Sequence, residues 1–188
     1  MSQTIVLISG ANRGIGKGLL ERYLLRPDHI VIAANRDPSH STSKALLELP
    51  AATNSRLIVV KVDASKDSDA LDAAKTLIAL GIDHIDIVFA NAGVSYIWPK
   101  VSDLNIEDLQ NHITPNVFGV IWLFQATLPL LSKSENPKWA TVGSTAGSLH
   151  SPPPVSNAAY GTSKAAIHWL TKRIDSEEKL TAIILTPG

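Results

Sequence analysis

Short apolar runs alternate with helical patterns along the whole chain, and this alternation constrains the fold more than any other feature. The runs are rich in Val and Ile and are apolar at consecutive positions, which is typical of strands buried on both faces of a parallel sheet. Helices that connect such strands cover the two faces of the sheet. The sequence therefore predicts an α/β fold with strands over residues 4–9, 30–34, 57–62, 85–90, 139–143 and 181–185.

Helices are predicted between these strands, over residues 14–25, 44–49, 67–80, 103–131 and 158–174. The third of them carries an apolar face, which we expect to lie on the sheet. This face consists of Ala70, Leu71, Ala74, Leu77 and Ile78. Pro115 lies inside the fourth helix, where it removes one backbone donor and is expected to kink the helix just before Asn116. The proline run at 152–154 predicts a stiff loop.

The composition is that of one globular domain over residues 1–188. Lys plus Arg and Asp plus Glu both number 17, so the formal net charge is zero. This balance argues against nucleic acid or an anionic membrane as the main partner. Cysteine is absent, which excludes disulfides and thiolate sites. The six histidines show no metal-ligand spacing, so no metal is expected.

The amino terminus has none of the features of a signal peptide. Residues 1–4 lack a basic region, and the apolar run at 5–8 is too short. No apolar stretch is expected to be long enough to span a bilayer. These observations predict a cytoplasmic protein.

A glycine-rich turn joins the first predicted strand to the first helix. It reads Ser9-Gly10-Ala11-Asn12-Arg13-Gly14-Ile15-Gly16. Glycine allows a tight turn and a close approach of the backbone to a ligand. The helix that follows presents free N–H groups and the positive end of its dipole to a pyrophosphate. A turn without a ligand is the alternative, and its place between a strand and a helix argues against that.

The spacing of the glycines separates this turn from two common phosphate-binding motifs. Gly10, Gly14 and Gly16 follow the pattern Gly-x-x-x-Gly-x-Gly, rather than Gly-x-Gly-x-x-Gly. A nucleoside-triphosphate P-loop is excluded because Lys17 is followed by Gly18 instead of Ser or Thr.

Several short motifs together resemble the short-chain dehydrogenase/reductase family. The family's first turn reads TGxxxGIG, and this chain keeps it with Ser9 in place of the threonine. Further along, Ala90-Asn91-Ala92-Gly93 resembles the family's NNAG turn, and Pro187-Gly188 its PG dipeptide. Each motif is weak by itself, but their common order along nearly the whole chain is specific. The segment 160–166, YGTSKAA, is similar to carbonyl and polyketide ketoreductases of this family.

The resemblance implies a Rossmann-like, doubly wound sheet with strand order 3-2-1-4-5-6 and a nicotinamide dinucleotide as cofactor. It implies a catalytic tetrad that consists of Asn116, Ser144, Tyr160 and Lys164. Tyr160 and Lys164 would also hold the cofactor. The other residues expected to bind it are Gly10, Asn12, Arg13, Gly14, Ile15, Gly16, Asn35, Arg36, Asp63, Asn91, Ala92, Gly93, Pro187 and Gly188.

The chemistry of the tetrad follows from its residue types. Tyr160 and Lys164 are four residues apart on a predicted helix and share one face. A lysine ammonium favours the phenolate form of a nearby tyrosine, so Tyr160 could exchange a proton with a carbonyl oxygen. Ser144 would hydrogen-bond the same oxygen. The resemblance adds that Lys164 holds the nicotinamide ribose and that Asn116 supports a water. An incidental Tyr–Lys surface pair is the alternative.

The end of the second strand favours NADP(H) over NAD(H). An acidic residue there binds a ribose 2′-hydroxyl and repels a 2′-phosphate, but this chain carries the neutral Asn35. Arg36 can stack on adenine and pair with a phosphate. Arg13, in the glycine turn, can reach the same phosphate. Asp37 comes one or two residues late for the usual ribose contact, so some NAD(H) binding stays possible.

The resemblance stops at the end of the chain. Members of the family continue beyond PG with a nicotinamide-contacting loop, a substrate lid and a seventh strand, so we expect a C-terminally truncated sheet of about six strands. Two functions follow: an NADPH-dependent reductase of ketones or aldehydes, and a non-catalytic relative that serves as a nucleotide-binding or assembly module.

His112 and His150 are more plausibly packing or surface residues than catalytic ones. Tyr96 and Trp98 could line a pocket for an aromatic or polyketide-like carbonyl compound. A homodimer or homotetramer is expected.

Overall fold

The computed structural model describes residues 3–151 and 153–187. Within them, six strands form one parallel sheet. These are β1 (Thr4–Ser9), β2 (His29–Asn35), β3 (Arg56–Lys61), β4 (Ile87–Ala90), β5 (Lys138–Val142) and β6 (Thr181–Leu185). Their order is β3-β2-β1-β4-β5-β6, so the predicted α/β fold, its strand order and its six strands are confirmed.

The described helices are α1 (Gly14–Leu24), α2 (Ser41–Lys44), α3 (Asp69–Ala79), α4 (Ile106–Ile113), α5 (Gly119–Leu131) and α6 (Ala158–Glu177). The helix predicted over 44–49 is wrong, because helix α2 ends at Lys44 and a 3-10 turn, Ala45–Glu48, takes its place. The helix begins earlier than expected since the ring of His40 accepts a hydrogen bond from the backbone N–H of Thr42.

Helices α4 and α5 are joined without a break by a π-helical turn, Thr114–Phe118. Pro115 lies in this turn, where the wider spacing accommodates its missing N–H. The π-helical turn is the departure from α-helical geometry at Pro115, and the kink before Asn116 stays a prediction. On length and composition alone, the continuous helix Ile106–Leu131 could cross a membrane, since an 18-residue stretch of it has a mean hydropathy of 1.3. The expectation that no stretch is long enough was therefore wrong. In this fold the helix contributes Val120, Leu123 and Leu130 to the core.

The core lies on both faces of the sheet. One face packs against helices α3, α5 and α6, and the other against α1. The predicted apolar face of α3 is partly wrong, because Leu71 and Ile78 are more than half exposed. Ala70, Ala74 and Leu77 are buried as predicted, and Ala73 is buried as well. The small side chains of the alanines let α3 approach the sheet and α5 closely.

The strand order determines where a ligand can bind to this sheet. Strands β1 and β4 are neighbours, with β2 on one side and β5 on the other. The connections therefore reverse direction between β1 and β4. In open parallel sheets, ligands bind beyond the carboxyl ends of the strands at such a switch point.

Candidate active site

The glycine turn leaves β1 at this switch point. Gly10 and Gly14 have φ values of 65° and 54°, in the left-handed region that favours glycine. A Cβ on Gly16 would overlap the carbonyl oxygen of Gly10, so the turn closes only because residue 16 has no side chain. Helix α1 begins at Gly14 without a side-chain cap. Its first N–H groups therefore stay available to an anion.

The surroundings of the turn fit a dinucleotide phosphate. Arg13, Gly14 and Ile15 are exposed, and a Cβ built on Gly14 would meet no atom within 4 Å. Arg36 follows β2 directly and is also exposed. Arg13, Arg36 and the open backbone N–H groups therefore all lie beyond the carboxyl ends of the strands.

Asn35 supports the glycine turn from inside the protein. Its side chain is fully buried, and its Oδ1 accepts a hydrogen bond of 2.9 Å from the backbone N–H of Ala11. Its Nδ2 donates to Ser43 Oγ over 3.2 Å. Asn12, whose Nδ2 donates to Thr42 Oγ1 over 2.7 Å, ties the turn to helix α2. Asn35 would therefore act on a cofactor through the shape of the turn.

Ser9 joins the glycine turn to the loop after β4. Its hydroxyl oxygen accepts hydrogen bonds of 3.0 Å from the backbone N–H groups of Asn91 and Ala92. The Nδ2 of Asn91 donates back to the carbonyl oxygens of Ser9 and Gly10, over 2.9 and 3.1 Å. Ser9, which stands where the family motif has threonine, therefore supplies the hydroxyl that this bridge needs.

Asn116 fixes the start of the next loop from within the π-helical turn. Its Oδ1 accepts a 2.7 Å hydrogen bond from the N–H of Val94, and its Nδ2 donates to the carbonyl of Val94 over 2.9 Å. The same Nδ2 donates to Ser163 Oγ on helix α6. Gly93 lies against this amide, since a Cβ there would be 3.0 Å from Asn116 Oδ1 and 3.9 Å from Lys164 Nζ. Asn116 and Lys164 therefore meet beside Gly93.

Lys164 is the most unusual residue of the site. It is only 5% exposed, and its Nζ donates a 2.6 Å hydrogen bond to the carbonyl oxygen of Val142 at the end of β5. Burial lowers the pKa of Lys164 from 10.5 to about 8. The Nζ lies 5.5 Å from the centroid of the Tyr160 ring. The predicted pairing of these two residues on one helix face is therefore present.

Ser144 begins a tight turn that packs on the same helix. Its Oγ accepts a hydrogen bond from the N–H of Ala146, which starts the 3-10 turn Thr145–Gly147. A Cβ on Gly147 would lie 2.6 Å from the backbone of Lys164, and one on Gly161 would lie 2.9 Å from the carbonyl oxygen of Ala146. These close contacts seat the Ser144 turn along helix α6 between Gly161 and Lys164.

His168 contacts the site and was not singled out in the sequence. Its Nε2 accepts a hydrogen bond of 3.2 Å from the backbone N–H of Ser144. The available signal was its place four residues after Lys164, which puts it on the same face of α6.

The other sequence candidates occupy varied places. His112 is buried; its Nδ1 donates to the carbonyl of Asp108, and its ring stacks on Tyr96 at a centroid distance of 4.3 Å. His150 and Trp98 are exposed. Asp63 lies after β3, where its carboxylate accepts from the N–H of Ser65.

The last dipeptide is only partly described. Pro187 is exposed beyond the carboxyl end of β6, and Gly188 lies outside the described residues. Among the described residues, no group of three or more potential metal ligands is present.

Comparison with known sequences agrees with this geometry. A family profile described as short chain dehydrogenase matches residues 4–187. A short-chain dehydrogenase of Neurospora crassa is 41% identical over 191 residues, covering 98% of this chain and 75% of that protein. A norsolorinic acid ketoreductase of Emericella nidulans is 38% identical over 191 residues, covering 99% and 72%.

The fold is also similar to that of a solved structure. The crystal structure of an NADPH-bound carbonyl reductase from chicken fatty liver superposes with a TM-score of 0.87 and 25% sequence identity. The match covers 100% of this chain and 80% of that one.

Proposed function

The chain belongs to the short-chain dehydrogenase family, and we propose that it reduces a ketone or aldehyde to an alcohol with NADPH as the hydride donor. One observation carries this proposal. Helix α6 bears both Tyr160 and the buried ammonium of Lys164, and the Ser144 turn packs on the same helix. The open glycine turn also lies beyond the carboxyl ends of the strands.

In the proposed reaction, each residue of the site has one task. The cofactor, when bound, supplies a hydride to the carbonyl carbon. Tyr160 donates the phenolic proton to the carbonyl oxygen as negative charge develops there. The Ser144 hydroxyl donates a hydrogen bond to the same oxygen. Lys164 stabilises the phenolate that remains, because its ammonium lies beside the ring.

In this proposal, Asn116 holds the loop after β4 against helix α6. Its three hydrogen bonds join the loop at Val94 to helix α6 through Ser163. The expected role of Asn116 in holding a water near Lys164 is compatible with their shared position beside Gly93.

The choice of NADP(H) rests on the two exposed arginines and on a relative. Arg13 lies in the glycine turn, Arg36 directly follows β2, and both side chains are exposed. The neighbouring carbonyl reductase structure is described as NADPH-bound. The proposed substrate is an aromatic or polyketide-like carbonyl compound. Support for that class comes from the exposed rings of Tyr96 and Trp98 and from the ketoreductase relative.

The test is NADPH oxidation by the purified protein with a panel of ketones, quinones and aldehydes. We expect turnover with at least one member of the panel. Tyr160→Phe, which removes the proton donor and keeps the ring, should lower turnover by about a hundredfold or more while NADPH still binds. A native protein that binds NADPH but reduces no member of the panel would contradict the proposal and favour a nucleotide-binding module.

A further inference from the structure

The ring of His168 fits into a space made by two glycines that flank Ser144. A Cβ on Gly143 would overlap His168 Nε2, and a Cβ on Gly147 would lie 3.0 Å from His168 Cε1. A side chain at either position would displace the imidazole. The stretch 143–147 and the ring of His168 therefore have complementary shapes.

The contact between His168 and Ser144 is a hydrogen bond of definite direction. The backbone N–H of Ser144 donates and Nε2 accepts over 3.2 Å, so the proton of a neutral ring is on Nδ1. The Ser144 backbone is otherwise fixed by its own turn, in which the carbonyl oxygen accepts from the N–H of Gly147. The N–H and the carbonyl of Ser144 are thus both satisfied. Its hydroxyl oxygen accepts from the N–H of Ala146, which leaves the hydroxyl proton to be donated to a substrate.

We propose that His168 is a positioning residue, which holds the Ser144 backbone so that the serine hydroxyl meets the carbonyl oxygen of the substrate. This inference rests on the proposed carbonyl reduction and goes further by assigning a residue that acts through Ser144. Hydrogen-bond donors to a reacting oxygen are effective when their geometry is fixed before the reaction. A histidine acceptor on α6 fixes the Ser144 turn to the same helix that bears Tyr160 and Lys164.

The role requires a neutral imidazole. Burial and the nearby Lys164 ammonium both lower the pKa of His168 below its ordinary value of 6.5. Lys164, on the same helix, is the charged group that faces it; β5, the Ser144 turn and β6 contribute Gly143, Ser144, Gly147 and Ile184, which carry no charge. Protonation would place a second donor against the Ser144 N–H and would break the contact.

The kinetic test compares two substitutions that differ in one acceptor. His168→Leu removes the acceptor, and we expect kcat to fall by about tenfold, which corresponds to the loss of one hydrogen bond. The dissociation constant of NADPH should not change. His168→Gln places an amide oxygen near the position of Nε2 and should restore kcat to within about threefold of the native value. His29→Leu, at the other end of the sheet, is the control and should leave kcat unchanged.

A leucine variant with native kcat would overturn the proposal, and so would a folded glutamine variant as slow as the leucine one. A second measurement needs no turnover. In protein labelled with ¹⁵N-serine, the Ser144 amide signal, identified by its loss in Ser144→Ala, should shift with pH below 6.5 and should not shift in His168→Gln. An amide that does not titrate in the native protein would refute the contact. Absence of turnover in the native protein, with a titrating amide, would instead refute the proposed function.

Discussion

The Nζ of Lys164 donates a 2.6 Å hydrogen bond to the carbonyl oxygen of Val142, which directs a buried ammonium at the carboxyl end of β5. A buried lysine without a carboxylate partner destabilises the folded protein in its charged form. The fold retains this cost at the place where the proposed chemistry needs a positive charge. Stability and function therefore make opposite demands on this residue.

Lys164→Met should abolish turnover and stabilise the fold. At pH 7 the gain in the free energy of unfolding should be on the order of 1 kcal/mol, because relief of the buried charge outweighs the lost hydrogen bond. The pKa of Lys164 is lowered to about 8 by burial, so the unfolded chain binds more protons between about pH 8 and 10.5, and native stability rises with pH there. The advantage of the variant should shrink over that range. Thermal unfolding at several pH values measures it; a variant less stable than native at pH 7 would contradict the prediction.

Arg36→Ala should reduce the preference for NADPH. We expect the native protein to bind NADPH at least about tenfold more tightly than NADH, or roughly 1.4 kcal/mol. The variant should lose most of that difference, since the guanidinium would no longer pair with the 2′-phosphate. Fluorescence titration with both nucleotides measures the two affinities. Arg56→Ala, exposed at the opposite end of the sheet, is the matched control. Equal native affinities would refute the NADP(H) assignment.

The sequence predicted the sheet well because buried parallel strands carry a strong local signal. Strands β1 and β6 have the predicted bounds, and each of the other four differs by at most two residues at either end. The helix α3 prediction failed at Leu71 and Ile78 because periodicity alone does not tell which of two apolar faces packs inward.

The site was predictable only where a motif names its residues. Tyr160 and Lys164 are close in sequence, and their shared helix face followed from spacing. The bond from Ala11 to Asn35 and the bond from Ser144 to His168 each join residues 24 apart. Such contacts depend on how elements pack, and no local pattern encodes them.

Asn35→Ala should destabilise the protein without changing its choice of cofactor. Loss of the amide leaves the buried N–H of Ala11 without a partner, which costs about 1–3 kcal/mol in the free energy of unfolding. Both nucleotides should bind more weakly, by the same factor, because the glycine turn loses its support. Denaturant unfolding and paired titrations measure these effects. Asn105→Ala removes an exposed amide that caps α4 and should leave both affinities unchanged. A changed NADPH-to-NADH ratio in Asn35→Ala would mean that Asn35 contacts the ribose directly.

We predict a homodimer or larger oligomer that covers the long helices, the β6 edge of the sheet, or both. Phe118 is 44% exposed between α4 and α5, and Trp169 on α6 is 64% exposed, so large apolar side chains face outward on both elements. Leu123 on α5, by contrast, is buried in the core. Ile183 on β6 is 47% exposed, and β6 pairs only with β5 among the described residues. Open strand edges associate readily.

Light scattering at micromolar concentration should therefore give a mass at least twice that of one chain. Replacing both Phe118 and Trp169 by serine should shift the protein toward monomer if the helices form the contact, whereas Ile183→Lys should do so if the strand edge forms it. Leu25→Ser, at the end of α1, changes a side chain that is 58% exposed and should leave the mass unaltered. A native protein that is monomeric at these concentrations would contradict the predicted oligomer.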